Sequence, residues 1–252
     1  MVETRDFSKR IKLLKCVRSY KMSTPPRVLI IGASRGLGLA LTHEWLSRGW
    51  TVVATARSAS QAKLQEAAAT SDGRLTIEQL EVTDLAAVKA LRERLSGHEL
   101  DLLFVNAGIA NGPGDRADQV STDDFIRIMV TNALGPMRIV ENLGDLVRRD
   151  GTIAVMSSSM GSVALNETGG WEVYRASKAA LNTLMRSYAA RHVGDERSLA
   201  LVDPGWVRTD MGGSEASLSV EESIPGVVDA LAARRGQPGL QYFNYKGETM
   251  PW

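Results

Sequence analysis

The sequence predicts one α/β domain built on a doubly wound parallel sheet of about seven strands, with helices on both faces. Short runs of Val, Ile and Leu alternate along the chain with longer segments of helical pattern. Continuous apolar strands are typical of a parallel sheet that is covered on both faces. The 252 residues, 44% of them hydrophobic, suffice for one large core, and we assign 26–252 to a single domain.

The elements follow one another without a break in the alternation. Seven apolar runs are predicted as strands, at 27–31, 51–55, 75–80, 102–105, 152–156, 199–202 and about 240–244. Six segments have the apolar spacing of helices, at 37–48, 60–69 and about 84–95, 122–148, 173–193 and 219–234. A stretch rich in Gly, Ser and Thr is predicted as a mobile loop, at 205–219.

Charge and composition exclude several classes of function. The formal net charge is +1, but residues 1–25 carry +5 and the rest about −4, which argues against a nucleic-acid-binding surface on the body. No run of about 18 apolar residues occurs, so no membrane-spanning helix is expected. Cys16 is the only cysteine, which excludes an intrachain disulfide and fits a reducing, cytoplasmic location.

Residues 1–25 form a basic leader that allows three interpretations. Apolar residues lie among its lysines and arginines and could line one side of a short amphipathic helix. The leader could be a targeting peptide, a surface-binding arm, or an over-extended translation start that precedes Met22. We favour a disordered or over-extended segment, because a Ser-Thr-Pro-Pro sequence at 23–26 separates it from the first strand.

The first predicted strand runs directly into a glycine cluster that begins a helix, Gly32-Ala33-Ser34-Arg35-Gly36-Leu37-Gly38. Glycines at such a turn let the backbone approach a pyrophosphate at the positive end of the helix dipole. The spacing is G-x-x-x-G-x-G rather than G-x-G-x-x-G, and the cluster could simply be a tight turn. The strand before it and the helix after it favour nucleotide binding.

The residues after the second strand favour NADP(H) over NAD(H). NAD-preferring sites place an acid there to bind the ribose 2′-hydroxyl, whereas this region reads Ala54-Thr55-Ala56-Arg57. Arg57 and Arg35 could grip a 2′-phosphate, or both could be solvated loop residues. Asp84, after the third strand, could accept from the adenine amino group or cap the next helix, and the sequence favours neither.

Tyr174 and Lys178 are four residues apart in a predicted helix, so both side chains project from the same face. A lysine ammonium beside a phenol lowers the phenol pKa from its reference near ~10. Such a phenol could donate or accept a proton near neutral pH. The pair alone is weak evidence, because this spacing often occurs by chance.

Five motifs in this order resemble the short-chain dehydrogenase/reductase family. They are the glycine cluster, Asn106-Ala107-Gly108 after the fourth strand, Asn132, Ser158 and the Tyr174/Lys178 pair. The resemblance covers 27–252 and implies a Rossmann-type fold. Within the family, four stretches look like the C-factor-like and Sniffer-type carbonyl reductase branch, at 156–162, 169–171, 174–182 and 250–252.

The resemblance implies a catalytic role for four residues. Tyr174 would exchange a proton with the carbonyl oxygen, and Lys178 would lower its pKa and bind the nicotinamide ribose. Ser158, three residues before a glycine, would hold the substrate oxygen, although Ser157 and Ser159 remain alternatives. Asn132 would open its helix and bind a water that relays protons to the lysine, unless it is a surface residue. The residues near 166–170 would form a loop over the pocket.

The resemblance also implies cofactor contacts. The segment 203–210 would lie over the nicotinamide carboxamide, with Asp203 only a turn residue. Asn106-Ala107-Gly108 would steady the central strand beside the adenosine. The predicted cofactor contacts are Gly32, Ser34, Arg35, Gly36, Leu37, Gly38, Arg57, Asp84, Asn106, Ala107, Gly108, Tyr174, Lys178, Pro204, Gly205, Val207 and Thr209.

Two further sets of residues each allow two interpretations. An apolar substrate pocket, or ordinary core, would contain Met160, Val163, Trp171, Trp206 and Met211. A stripe of small residues on the helix of Tyr174 would pack in the core or across the two-fold axis of a homodimer or homotetramer; its members are Ala176, Ala180, Thr183, Ser187 and Ala190.

Together these features predict an NADPH-dependent reductase that transfers a hydride to an aldehyde or ketone, with alcohol oxidation as the reverse reaction. The alternative is an NAD(P)-binding signalling or regulatory protein with little turnover. No metal is expected, because the three histidines are scattered without ligand spacing. The substrate would be a small molecule whose identity lies in the variable loops.

Overall fold

The computed structural model describes residues 24–57, 61–112 and 114–252. The interpretations of the basic leader fall on residues that lie almost wholly outside these ranges, so they stay predictions. None of the described helices is long and apolar enough to cross a membrane.

Seven parallel strands form one sheet in the order β3-β2-β1-β4-β5-β6-β7, which confirms the predicted fold class. The strands are β1 Arg27–Ile31, β2 Thr51–Ala56, β3 Leu75–Gln79, β4 Leu100–Val105, β5 Val147–Met156, β6 Ser198–Asp203 and β7 Gly239–Asn244. The helices are α1 Gly36–Ser47, α2 Ala62–Ala69, α3 Leu85–Arg94, α4 Thr122–Met129, α5 Gly135–Leu143, α6 Glu172–Arg191 and α7 Val220–Ala232.

The central strands are mostly apolar because both of their faces are covered. In β1, Leu29 and Ile31 belong to one buried cluster, whereas Val28 and Ile30 belong to the other. The first cluster is completed by α3, α5 and α6, and the second by α1, α2 and α7. Each such side chain contributes about 1.5–3 kcal/mol when it is fully buried, so the two layers fix the register of the strands.

The predicted helical stretch at 122–148 is interrupted around Asn132, where the resemblance implied a local opening, and it ends at Leu146. It consists of α4, a π-helical segment Val130–Leu134, α5 and a 3₁₀ turn Gly144–Leu146. Pro136 stands at the beginning of α5 and has no N–H to donate to the carbonyl of Asn132, four residues earlier. The α-helical bonding pattern therefore breaks at Asn132 and widens into a π turn.

Strand β5 begins five residues before its predicted start, at Val147. The ladder with β4 shifts register between the pairs Leu100↔Val147 and Leu102↔Thr152. The polar residues in this irregular stretch face solvent, and Arg148 contacts Asp101 of β4 at 3.2 Å. Because these residues break the apolar run, the sequence pattern did not reveal the first half of the strand.

The carboxyl ends of β1, β4, β5 and β6 meet at one edge of the sheet, where the strand order changes direction between β1 and β4. In doubly wound sheets this crevice is where ligands bind. A Cβ atom at Gly38 would lie 2.1 Å from the Gly32 carbonyl oxygen and 2.7 Å from Asn106 Nδ2. Asn106 Nδ2 donates to the Gly32 carbonyl at 2.8 Å, so the loop after β4 holds the glycine turn in place.

Candidate active site

A cavity of about 760 Å³ lies at this edge of the sheet. Most of the residues predicted to touch cofactor or substrate line it, from the glycine turn to the segment after β6. The predicted residues that line it are Gly32, Ser34, Arg35, Gly36, Leu37, Arg57, Asn106, Ala107, Gly108, Ser158, Met160, Trp171, Tyr174, Lys178, Pro204, Gly205, Trp206, Val207, Thr209 and Met211.

Tyr174 and Lys178 project from one face of α6, one helical turn apart. The Nζ atom of Lys178 is 5.8 Å from the centre of the Tyr174 ring and donates to the Met156 carbonyl oxygen at 2.9 Å. The lysine is 3% exposed, which is unusual for an ammonium group. The helix is thereby attached to the end of β5, directly before the three serines.

Burial dominates the electrostatics of this pair. It raises the pKa of Tyr174 to about 12, against a lowering by the Ser158 hydroxyl, and the charge of Asp203 raises this pKa further. Burial also lowers the pKa of Lys178 to about 8. Burial thus outweighs the groups that favour the phenolate, and the net direction of the Tyr174 pKa is opposite to the one expected from the Tyr174/Lys178 pair alone. At neutral pH the phenol keeps its proton, which suits a proton donor.

The three serines after β5 point to different partners. Ser157 is buried, and its hydroxyl donates to Asn182 Oδ1 at 2.7 Å, away from the phenol. The Ser158 hydroxyl lies by the Tyr174 phenol and accepts from the Met160 N–H at 3.2 Å. This arrangement supports Ser158 over Ser157 as the residue that meets a substrate oxygen.

Asn132 is fully buried behind the cavity, not on the surface. Its Nδ2 atom donates to the Ile109 carbonyl at 2.8 Å and to Ser177 Oγ at 2.9 Å, and its Oδ1 atom accepts from the Ile109 N–H at 2.8 Å. A Cβ atom at Gly108 would lie 3.4 Å from Asn132 Oδ1 and 3.5 Å from Lys178 Nζ. The asparagine and the lysine therefore both lie close to Gly108.

Asp203 does more than form a turn, which corrects the sequence-based interpretation. The residue is 5% exposed, and one carboxylate oxygen accepts from the Ser159 N–H at 2.9 Å. Burial raises the pKa of Asp203, while hydrogen bonds from the N–H groups of Ser159 and Gly205 lower it. The carboxylate thus joins the serine segment to the Pro-Gly turn after β6.

Trp171 adopts the left-handed conformation, with φ 54° and ψ 37°, at the beginning of α6. Such a backbone is strained for a bulky side chain. Arg175 holds it, because its Nε atom donates to the Gly170 carbonyl at 2.9 Å and Nη2 donates to that of Gly169 at 3.3 Å. The indole ring lies edge-on to the Tyr174 ring, 6.1 Å between centres, and forms a wall of the cavity.

The nucleotide end of the cavity contains an uncapped helix and two arginines. No side chain caps the N-terminus of α1, and its first turn has no acid. Arg35 forms a 2.6 Å ion pair with Asp210, and both side chains are mostly exposed, at 66% and 75%. Thr209 lies against Gly36, since a Cβ atom there would be 3.5 Å from its methyl group. Residues 209–210 therefore cross over the glycine turn.

Besides the buried Asn132, three predicted site residues do not line the cavity. Asp84 caps α3, its Oδ1 atom accepting from the N–H groups of Ala86 at 2.8 Å and Ala87 at 3.2 Å. Gly38 packs on the Gly32 carbonyl, where only a glycine fits. Val163 is 75% exposed and belongs to the surface. Asp84 is therefore a helix cap, which is one of the two roles that the sequence left open.

Sequence reasoning missed several residues of the cavity wall. At the adenine end, where Asp84 was expected, the wall is formed by residues of the same loop nearer to β3. The missed residues are Leu80, Glu81, Val82, Thr83, Ile109, Ala110, Arg127 and Thr131. The position of Glu81, directly after an apolar run, could have marked it, since acids at strand ends face this edge of the sheet.

The stripe of small residues on α6 faces solvent, not the core. Ala176, Thr183, Ser187 and Ala190 are exposed, and Ala180 is half-buried. Leu184 beside them is 39% exposed. Only Ala180 packs against the core, so the four exposed members of the stripe do not serve as core packing.

Comparison with known proteins gives consistent matches. A family model described as short chain dehydrogenase matches residues 26–218. The C-signal protein of Myxococcus xanthus is 35% identical over 155 residues, which are 61% of this chain and 93% of that protein.

Two solved structures cover nearly the whole chain. A short-chain dehydrogenase/reductase from Burkholderia multivorans with bound NADP is 52% identical, with a TM-score of 0.89, over 91% of this chain and 100% of the other. The carbonyl reductase Sniffer of D. melanogaster is 28% identical, with a TM-score of 0.81, over 91% of this chain and 100% of the other.

We predict that Lys178→Met stabilises the protein at pH 7. The pKa of Lys178 falls from its ordinary 10.5 to about 8 on folding, so at pH 7 both states are protonated and the folded state bears the full cost of burial. The substitution removes an unfavourable free energy of burial of roughly 3 kcal/mol. Loss of the hydrogen bond to the Met156 carbonyl offsets part of this, so the free energy of unfolding should rise by about 1–2 kcal/mol. Urea denaturation measures this gain.

The gain should shrink at pH 9.5, because the wild-type cost disappears as the pH rises from about 8 towards 10.5. Lys89→Met, at an exposed position on α3, is the control and should change stability by less than about 0.5 kcal/mol. A Lys178→Met protein less stable than the wild type at pH 7 would contradict this account of the buried ammonium.

Proposed function

Because the chain belongs to the short-chain dehydrogenase family, within its carbonyl reductase branch, we propose that it is an NADPH-dependent reductase of aldehydes or ketones. One observation carries this proposal. Ser158, Tyr174 and Lys178 meet in one cavity, and the tyrosine retains its proton at neutral pH because burial raises its pKa to about 12. The reverse reaction, alcohol oxidation, would use the same groups.

The cavity fits a dinucleotide phosphate. The first N–H groups of α1 have no side-chain cap and carry the positive end of the helix dipole. Gly32 and Gly36 line the cavity beside these N–H groups and have no side chain that would cover the backbone there. We assign the pyrophosphate to this turn, with Thr209 beside Gly36 as a further donor. NADP(H) supplies the hydride when it is bound.

Arg35 and Arg57 would hold the 2′-phosphate, and both line the cavity. Arg35 must first exchange its carboxylate partner, Asp210, for the phosphate. An exposed ion pair contributes only about 0–1 kcal/mol, whereas a phosphate offers more charge and bidentate acceptors. The exchange is therefore favourable. The NADP in the Burkholderia multivorans structure supports this choice of cofactor.

The chain's own residues would supply positioning and the proton. Ser158 Oγ donates a hydrogen bond to the substrate carbonyl oxygen, and Tyr174 Oη donates the proton as negative charge develops there. Lys178, whose pKa of about 8 leaves it mostly charged at pH 7, binds the nicotinamide ribose and stabilises the phenolate that remains. Asn132 and Lys178 both approach Gly108, where a water bound by Asn132 would relay a proton from solvent to the lysine and so replace the proton that Tyr174 gives up.

The substrate end of the cavity favours an apolar carbonyl compound. Met160, Trp171, Trp206 and Met211 line it together with Tyr174. Trp206 and Met211 are 56% and 45% exposed, which leaves apolar surface for a ligand to cover. Burial of an aromatic or branched group against these side chains would orient its carbonyl towards Ser158 and Tyr174.

A signalling or regulatory protein with little turnover is the second candidate. Its support is the similarity to the C-signal protein of Myxococcus xanthus. The presence of Ser158, Tyr174 and Lys178 in one cavity favours the enzyme, because nucleotide binding alone does not require Tyr174.

We also propose that the exposed stripe on α6 pairs two subunits. Small side chains permit close approach of helices across a two-fold axis. Ser187→Arg, at an exposed position of the stripe, should shift the mass measured by light scattering from a dimer or tetramer towards one chain. A wild type that has the mass of one chain at every concentration would contradict the pairing.

We predict that the protein binds NADPH at least 10-fold more tightly than NADH, as measured by fluorescence titration. Arg57→Ala should remove most of this preference, because a charge-assisted contact to phosphate contributes about 1.5–3 kcal/mol. Arg149→Ala, an exposed arginine in β5 that forms only a surface ion pair, is the control and should leave both affinities unchanged. Equal binding of the two nucleotides by the wild type would refute the preference.

We predict that Tyr174→Phe lowers kcat for ketone reduction by at least 100-fold, because it removes the proton donor. Its affinity for NADPH should change by less than about 3-fold, since the ring is retained. Steady-state kinetics and nucleotide titration measure the two effects. A variant that loses turnover but keeps a cellular phenotype of the wild type would favour the signalling candidate instead.

A further inference from the structure

The peptide bond between Ser158 and Ser159 is held at both of its polar edges. Its carbonyl oxygen accepts from the Tyr242 hydroxyl at 2.5 Å and from the Gly161 N–H at 2.8 Å, and its N–H group donates to Asp203 Oδ1 at 2.9 Å. These bonds lie on opposite sides of one planar unit, so together they prevent its rotation. Ser158 is the residue whose hydroxyl must meet the substrate oxygen.

Both partners are buried and come from strands beyond β5. Asp203 is the last residue of β6 and is 5% exposed, while Tyr242 lies in β7 and is 2% exposed. In the ladder, Tyr242 pairs with Leu201, two residues before Asp203. Since burial raises the pKa of Tyr242, its hydroxyl keeps the proton that it donates.

The far side of Tyr242 is also fixed. Its ring lies 5.4 Å from that of Trp252, and the Met250 N–H donates to its carbonyl oxygen at 2.8 Å. The Trp252 carbonyl accepts from Ser162 Oγ and from the Ala164 N–H, both at 3.1 Å. The residues after Ser158 are thereby attached to the same support, so the serine segment has little freedom of its own.

We propose that Asp203 and Tyr242 are positioning residues, which set the rate of carbonyl reduction by fixing the orientation of Ser158 towards Tyr174. This inference rests on the proposed function. Neither side chain needs to touch the substrate. A displacement of about 1 Å at a catalytic group lowers the rate by roughly 100-fold. Loss of the side-chain bond from Tyr242 or of the one to Asp203 should therefore have a measurable effect.

The test is a double-mutant cycle of Tyr242→Phe and Ser158→Ala. Tyr242→Phe removes only the hydroxyl and keeps the ring beside Trp252. It should lower kcat by about 10-fold while the KM for NADPH stays within 2-fold. On the Ser158→Ala background the same change should have no further effect on kcat, because Tyr242 acts through the serine.

Tyr188→Phe is the matched control. This tyrosine of α6 is also buried, at 4% exposed, and its hydroxyl lies against Gly144 outside the cavity. It should leave kcat unchanged. Equal losses from Tyr242→Phe on both backgrounds, or no loss on either, would overturn the inference while leaving the reductase itself established. A wild type without NADPH-dependent reduction would instead refute the proposed function.

A crystal structure of the Tyr242→Phe protein tests the inference independently of turnover. The expected result is a rotated 158–159 peptide with Ser158 Oγ displaced from the Tyr174 phenol. An unchanged Ser158 would overturn the inference. If Tyr242→Phe does not fold, Asp203→Asn takes its place, since an amide oxygen is a weaker acceptor for the Ser159 N–H, and the same displacement and the same cycle apply.

Discussion

The nearly complete burial of the Lys178 ammonium is the constraint on which the site depends. The group is 3% exposed, and its hydrogen bond to the Met156 carbonyl attaches α6 to the end of β5. This attachment places Tyr174 beside Ser158. Asn132 and Gly108 lie next to the Lys178 ammonium. Burial of a charge opposes folding, so the site is maintained by the packing of the sheet and helices around it. The Lys178 ammonium therefore lowers the free energy of unfolding, although the proposed reaction requires it.

The sheet supplies the geometry that the individual motifs lack. Parallel strands place the glycine turn, Asn106, the serine segment and the Pro-Gly turn at one edge, although they are far apart in sequence. Contacts between these segments then fix them to one another: Asn106 bonds to Gly32, Asp203 bonds to Ser159, and Tyr242 bonds to Ser158. Hydrogen bonds between neighbouring loops thus fix the shape of the cavity.

Much of this arrangement follows from the sequence, since apolar runs fix the strands and spacing places Tyr174 and Lys178 on one face. Other features need long-range structure. The break in the helix at Asn132 was readable from Pro136, but the sign of the pKa change at Tyr174 depends on burial. The left-handed backbone of Trp171 depends on hydrogen bonds from Arg175 to two glycine carbonyls. The hydrogen bonds that hold the 158–159 peptide to Asp203 and Tyr242 join residues more than 40 positions apart. Residue propensities and apolar periodicity do not predict such long-range contacts.

The central claim is that these groups direct a hydride from NADPH to a carbonyl carbon. The most direct measurement uses NADPH deuterated at the transferable C4 position with an aromatic ketone, and locates the deuterium in the product by mass spectrometry. The account predicts an alcohol with one deuterium on the carbinol carbon. Oxidation of NADPH without deuterium at that carbon, or no turnover across aromatic and aliphatic carbonyl compounds, would contradict it.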